Sequence, residues 1–207
     1  MAESEGEKET GRIEAFSDGL FAFAITLLIL DLKVPHGLGT GIDLRYALLQ
    51  EWPSYLGYLT SFLTIGIMWV NHHRMFSLIR RADDGLLLVN LLFLLGITFV
   101  PFPTALLAEY LDTEAARTVA ALYSLTYVVI AIFFNILWRY AAHNGRLLGR
   151  HADRAQADAI TRAYNVGPLM YGISLLVAFL SPGASTVLNL LYAVFWALPS
   201  QNVFVKP

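Results

Sequence analysis

The feature that most constrains this 207-residue chain is a succession of six apolar stretches, each near the length that crosses a lipid bilayer. A hydrocarbon core about 30 Å thick is crossed by about 20 helical residues rising about 1.5 Å each. The stretches are Ile13 to Val34, Pro53 to Phe76, Gly85 to Glu109, Arg117 to Tyr140, Arg162 to Leu180 and Ser185 to Phe204. Backbone groups in lipid find no water, so such stretches close their hydrogen bonds internally as helices. The expectation is therefore an all-α integral membrane protein with six transmembrane helices. Pro53 suits the first position of a helix, and Pro35, Pro182 and Gly183 stand just past helix ends. Pro101, Pro103 and Pro168 lie inside spans and predict kinks in the third and fifth helices.

Lys and Arg in short loops are retained in the cytoplasm. Lys8, Arg12, Arg74, Arg80, Arg81, Arg139, Arg146, Arg150, Arg154, Arg162 and Lys206 fall on one side of a six-span layout, and only Lys33, Arg45 and Arg117 on the other. The crowded side is the cytoplasm, which places both termini there. Residues 1–11 then form a cytoplasmic tail, 12–204 the six-helix transmembrane domain and 205–207 a C-terminal tail. Met1 to Thr10 is acidic rather than basic, unlike a secretory leader, so the first apolar run is expected to be retained. No internal repeat relates the two halves, which disfavours an inverted-repeat transporter.

Composition narrows the function. Charged residues make up 14% of the chain, against about 25% in soluble domains. The net charge of −2 gives no footprint for nucleic acid. Cysteine is absent, which removes disulfides, thiolate metal sites and thiol catalysis.

Ionisable groups inside spans are costly and mark candidate sites. Asp18 lies about two turns into the first helix; on an ideal helix it points about 120° away from Arg12, so its partner lies elsewhere. The second helix ends with Trp69-Val70-Asn71-His72-His73-Arg74, in which Trp69, His72 and His73 share a face. The third helix carries Asn90 about one turn inside. Asp18, His72 or His73, and Asn90 are thus expected at similar depth. Such a cluster reads first as a hydrogen-bond network locking three helices together. A proton relay or pH sensor is the sharper alternative. A metal centre is disfavoured, because adjacent histidines diverge by about 100° and no further ligands complete a set. His36, His143 and His151 are expected in loops or at helix ends.

Phe16, Gly19, Phe23, Thr26, Leu27 and Leu30 form one stripe of the first helix, and Asp18 points about 140° away from Phe23. Apolar stripes ordinarily pack against another helix or lipid. The alternative is a hydrophobic constriction with a threonine ring, made when symmetry copies of the helix line an axis. A single subunit has too few polar inward groups to line its own path.

Arg12-x-x-x-Phe16-Ser17-Asp18 followed by Gly19-Leu20-Phe21-Ala22-Phe23-Ala24-Ile25-Thr26-Leu27-Leu28-Ile29-Leu30 closely resembles the first helix of prokaryotic relatives of transmembrane protein 175, the endolysosomal potassium channel. The likeness extends to Trp69, His72 and His73 and to the six-helix layout. The resemblance implies a potassium-selective leak-type channel, multi-pass in a bacterial or archaeal cell membrane. It implies a homotetramer whose pore is lined by the first helix at the symmetry axis. Its partners would be its own copies, membrane lipid and the permeant potassium ion, with no cofactor and no metal. The resemblance makes Phe23, Leu27 and Leu30 the pore constriction and Thr26 a hydroxyl layer beside it. It makes Arg12, Phe16, Ser17, Asp18, Trp69, His72 and His73 a packing network, which Asn90 joins by depth. One position departs: the first constriction residue is usually aliphatic in that family and is Phe23 here. No Thr-Val-Gly-Tyr-Gly loop is present, so selectivity would arise without a carbonyl filter.

Two other readings remain open on sequence. A membrane-embedded enzyme would use Asp18 with His72 or His73 as acid and base, but it lacks a nucleophile motif, a phosphate loop and a cofactor signature. A proton-coupled transporter would use the same cluster.

Overall fold

The computed structural model describes residues 3–35, 43–149 and 154–197, with side chains from residue 10 onward except at Arg154 and Gln156. His36, Arg150, His151, Lys206, the end of the sixth expected span and the 205–207 tail lie outside the described residues. Helix α1 (Glu3–Leu27) passes into a 3-10 turn (Leu28–Asp31); α2 (Leu44–Gln50) is short and α3 (Trp52–Leu78) long. Then come α4 (Asp84–Phe99), α5 (Pro101–Tyr110), α6 (Ala116–Ala142), a 3-10 turn (His143–Gly145), α7 (Arg154–Leu180) and α8 (Pro182–Ala197). The only strand-like pairing among the described residues is one bridge between Ile79 and Leu148, which ties the α3–α4 and α6–α7 loops together.

Helix α1 starts at Glu3, so the segment expected as a tail continues the first helix. Four helical stretches are long and apolar enough to cross a membrane: Thr10–Asp31, Asp84–Tyr110, Ala116–Gly145 and Ala157–Leu180. The other two expected spans fall short for different reasons. Helix α3 has the length, at 27 residues, but Ser54, Gly57, Thr60, Ser61 and Thr64 lower its hydropathy; all five are buried inside the bundle. Helix α8 has 16 described residues, below a full span.

The prolines are accommodated by specific bonds. Pro101 and Pro103 cannot donate to Ile97 and Phe99, and the rod breaks into α4 and α5 at Val100. The Val100 N–H donates to Ile97 O at 3.2 Å, so that carbonyl keeps a partner. Pro168 sits inside a continuous α7 and deprives Tyr164 O of its helical donor. Asn135 of α6 supplies the replacement, its Nδ2 donating to Tyr164 O at 2.7 Å.

Helix α6 is the central element, packed by α4, α5, α7 and α8, with Tyr123, Tyr127, Ile130 and Trp138 fully buried. Close approach to α4 depends on Gly96, where a Cβ would stand 2.7 Å from Ile130 Cγ1. Helices in lipid gain little from hydrophobic burial against one another, so polar contacts and close packing hold them together. Two buried hydroxyl clusters do this. Ser61 Oγ lies 2.7 Å from Thr104 Oγ1 and 2.9 Å from Tyr123 Oη, joining α3, α5 and α6. Ser124, Ser174 and Ser185 join α6, α7 and α8, and Asn189 Nδ2 donates to Ser124 Oγ at 3.0 Å. Outside the bundle, leucines such as Leu88, Leu95, Leu169, Leu176 and Leu180 are exposed, as a lipid-facing surface requires.

Candidate functional site: the first helix and its anchor

Helix α1 has two faces of opposite character. Ile13, Ser17, Phe21, Ala24 and Leu28 are buried against α3 and α4, whereas Phe16 (56% exposed), Phe23 (58%) and Leu30 (74%) are uncovered. Gly19 and Thr26 lie on the uncovered side and Leu27 is half-buried at its edge. No atom stands within 4 Å of a Cβ built at Gly19, so none of the described residues packs over that position.

The helix tightens where the stripe ends. From Leu28 to Asp31 the backbone is 3-10, and side chains at i and i+3 of such a turn eclipse. The turn begins directly after Leu27 and contains Leu30, so the end of the stripe leaves α-helical geometry there. Thr26 Oγ1 donates its proton to Phe23 O at 2.8 Å. With its donor used, the hydroxyl presents only lone pairs toward the uncovered side.

The buried face is anchored by one directional chain of hydrogen bonds. Asn90 Nδ2 donates to Ser17 Oγ at 3.0 Å, and Ser17 Oγ donates to Ile13 O at 2.8 Å. Asn90 Oδ1 then faces His72 Nε2 at 3.0 Å. An amide oxygen only accepts, so His72 donates from Nε2. The imidazole is held by Phe76 at 4.5 Å and Phe93 at 5.7 Å between ring centroids, both stacked, and by the edge of Phe21 at 5.5 Å.

The remaining signature residues form a separate outer layer. Asp18 Oδ1 accepts the Trp69 indole N–H at 2.8 Å at the exposed margin of the α1–α3 contact. Trp69 stacks on His73 at 6.5 Å, and His73 Nδ1 lies 4.0 Å from Glu14 Oε2. Arg12 makes no ion pair with Asp18 and instead lines a groove with Phe16, Asp83, Asp84 and Asn90. The expected Asp18–His72–Asn90 cluster is thus divided: Ser17, one residue earlier, reaches Asn90, while Asp18 reaches Trp69. Adjacent residues on a helix diverge by about 100°, which is why one side chain cannot serve both layers.

One contact and one unpartnered group just beyond the other end of α1 have no counterpart in the sequence analysis. Lys33 forms an ion pair with Glu109, tying the end of the first helix to α5. Asp31 has Oδ2 buried with no hydrogen-bond partner among the described residues. The signal was the presence of opposite charges at the ends of neighbouring spans. On the opposite side of the bundle, Asp83 caps α4 by accepting the Leu86 N–H at 2.9 Å. Partial burial works against its charge, but Leu86, Tyr140 and the Arg146 guanidinium at 2.9 Å outweigh that and hold the carboxyl below its ordinary range. Among the described residues no group of three His, Asp or Glu side chains gathers as a metal site.

Comparison with known proteins gives a consistent set of likenesses. The family described as "Endosomal/lysosomal potassium channel TMEM175" matches residues 12–101, which run from within α1 to the start of α5 and include the anchor just described. A potassium channel of Chamaesiphon minutus is 50% identical over 202 residues, covering 97% of this chain and 100% of that protein. A potassium channel of Streptomyces collinus is 46% identical over 189 residues, covering 91% of each. The crystal structure of a lysosomal potassium-selective channel TMEM175 homolog from Chamaesiphon minutus superposes with a TM-score of 0.85 at 48% identity, over 94% of this chain and 99% of that one.

Proposed function

The chain belongs to the TMEM175 family, whose members are ion channels and not enzymes, and from that premise we propose that it is a potassium-selective leak-type channel working as a homotetramer. In this reading residues 12–204 form six spans, the termini face the cytoplasm, and the membrane is the cell membrane of a prokaryote. The observation that carries it is the uncovered face of α1. A helix anchored on one side by Ser17, Asn90 and His72 leaves Phe16, Phe23, Thr26 and Leu30 exposed among the described residues. Closed rotational symmetry is the usual way for identical subunits to cover such a face.

Four copies around an axis would stack rings of Phe23, Leu27 and Leu30, narrow and apolar enough to exclude water when closed. Between them lies the Thr26 ring. Each hydroxyl proton is engaged by Phe23 O, so a passing cation meets oxygen lone pairs. That arrangement replaces part of a hydration shell without a carbonyl loop. Potassium is the permeant ion; no step calls for a cofactor. The Asp18–Trp69 and His72–Asn90–Ser17 bonds set the rotation of α1 about its own axis. A turn by one residue, about 100°, would carry Phe23 and Thr26 out of the pore.

The test is ion flux from purified oligomers in liposomes under a potassium gradient. Flux that favours potassium over sodium supports the reading. Verified tetramers that pass neither ion would overturn it.

A further inference from the structure

A half-open cavity lies among α3, α6, α7 and α8 and is walled by Ile67, Phe134, Tyr164, Tyr171 and Trp196 over a floor at Gly167. Of its two polar neighbours on α3, Thr64 Oγ1 donates to Thr60 O at 2.7 Å and Asn71 Nδ2 donates to Ile67 O at 3.1 Å. The exposed surface of the lining is mainly apolar. Ile67, Met68, Phe134 and Trp196 are partly exposed, so the cavity is not sealed inside the bundle.

Ile67, Asn71 and Arg74 follow one another at i, i+4 and i+7 on α3, so Arg74 stands one turn beyond the cavity on its own face of the helix. Arg74 is exposed and lies within electrostatic range of Tyr164. No carboxylate among the described residues is within ion-pair distance of it. Arg139, the nearby cation on α6, is committed to Asn135 at 2.8 Å and Asn165 at 2.7 Å. An apolar slot at membrane depth beneath an uncommitted guanidinium on the cytoplasmic side has the chemistry of an anionic lipid site.

We propose that this cavity seats an acyl chain of an anionic phospholipid whose phosphate is held by Arg74. The proposal rests on the membrane-spanning reading of α3 and not on conduction, so it stands or falls by binding alone. Room for variation exists at the floor, since a Cβ at Gly167 would stand 3.8 Å from Ala131 Cβ and 3.9 Å from Trp196 Cζ2, ordinary contacts.

The test uses the delipidated full-length oligomer in detergent, titrated with phosphatidylglycerol or with phosphatidylcholine of the same acyl chains. Bound lipid per subunit is counted by native mass spectrometry. Phosphatidylglycerol is expected to bind more tightly. Arg74→Gln weakens it about fivefold and leaves phosphatidylcholine unchanged. Gly167→Leu, which fills the slot, removes the bound lipid of both kinds; Met68→Trp does the same from the opposite wall if the first variant fails to assemble. Equal affinity for the two lipids, or wild-type binding in a slot-filled oligomer, overturns the proposal. So does lipid uptake seen only after residues 198–207 are deleted, because the cavity would then be occupied by the chain's own end.

Discussion

Replacing Asn135 with leucine should destabilise the bundle by an amount that depends on whether residue 168 is proline. Asn135 Nδ2 is the donor that reaches Tyr164 O, the carbonyl that Pro168 leaves without its helical N–H. Without Asn135 that carbonyl is orphaned next to Ala131 and Phe134 in a region with little water. Orphaning a buried acceptor costs about 1–3 kcal/mol, and interhelical bonds measured in membranes average about 0.6 kcal/mol, so about 1–2 kcal/mol is the expected loss. Pro168→Ala gives the same carbonyl its helical N–H back without touching α6. In the Asn135→Leu background it should therefore recover about 1 kcal/mol more than it does in the wild type. The assay is a double-mutant cycle on the oligomer, read as the midpoint of thermal dissociation in detergent. For a chain of this size about 1 kcal/mol corresponds to roughly 2–4 °C. Arg139 also loses its bond to Asn135 Oδ1, but that loss is common to both arms and cancels. If the two substitutions are additive within about 0.5 kcal/mol, the carbonyl is not held by Asn135 and the reasoning fails.

Other expectations concern the pore, the packing and pH. Phe23→Ala removes the bulkiest side chain of the three rings and should raise single-channel potassium conductance several-fold in planar bilayers; unchanged or lower conductance counts against a constriction there. Thr26→Ala should weaken potassium over sodium selectivity in bi-ionic reversal potentials, and Thr26→Ser, which keeps the hydroxyl, should retain it. Gly96→Ala drives a methyl into Ile130 and should cost about 1–3 kcal/mol of thermal stability, largely relieved by Ile130→Ala in the same chain. Asp83 has a depressed folded pKa, so it stabilises the fold fully above its ordinary value of 3.8 and loses that contribution as the pH falls through the depressed one. The stability gap between wild type and Asp83→Asn should be constant above about pH 5 and close below 3.8; a gap that widens in acid refutes the assignment.

Much of the helical layout was legible from hydropathy and proline placement. The long apolar runs place α1, the α4–α5 rod, α6 and α7, because lipid leaves such segments no other backbone solution. The α4–α5 break follows from Pro101 and Pro103. What hydropathy blurs is α3, whose Ser54, Thr60, Ser61 and Thr64 spend their polarity inside the bundle, invisible to a composition average. A period near 3.6 does separate buried Ser17 from exposed Phe23, but Asp18, expected with the polar cluster, is itself exposed at the α1–α3 margin. The assignment of partners was not legible. A helical wheel gives the direction of Asp18 but not which neighbour stands there, and the bundle gives Asn90 to Ser17 and Trp69 to Asp18. Nor does an ideal wheel anticipate the 3-10 turn that begins after Leu27 and contains Leu30. The Ser124–Ser174–Ser185–Asn189 cluster escaped for a similar reason. Single serines in three spans announce nothing until packing brings them together.

The absence of cysteine from the sequence makes the central claim directly accessible. Leu30→Cys introduces one thiol per subunit on the uncovered face of α1, and Leu28→Cys introduces one on the buried face. Potassium current is recorded in planar bilayers while a small cationic methanethiosulfonate is added. If α1 lines the pore, the Leu30→Cys current falls in discrete steps as subunits are modified, and the Leu28→Cys current is untouched. A Leu30→Cys channel that conducts undisturbed by the reagent, with its thiol shown to be labelled, would contradict the account.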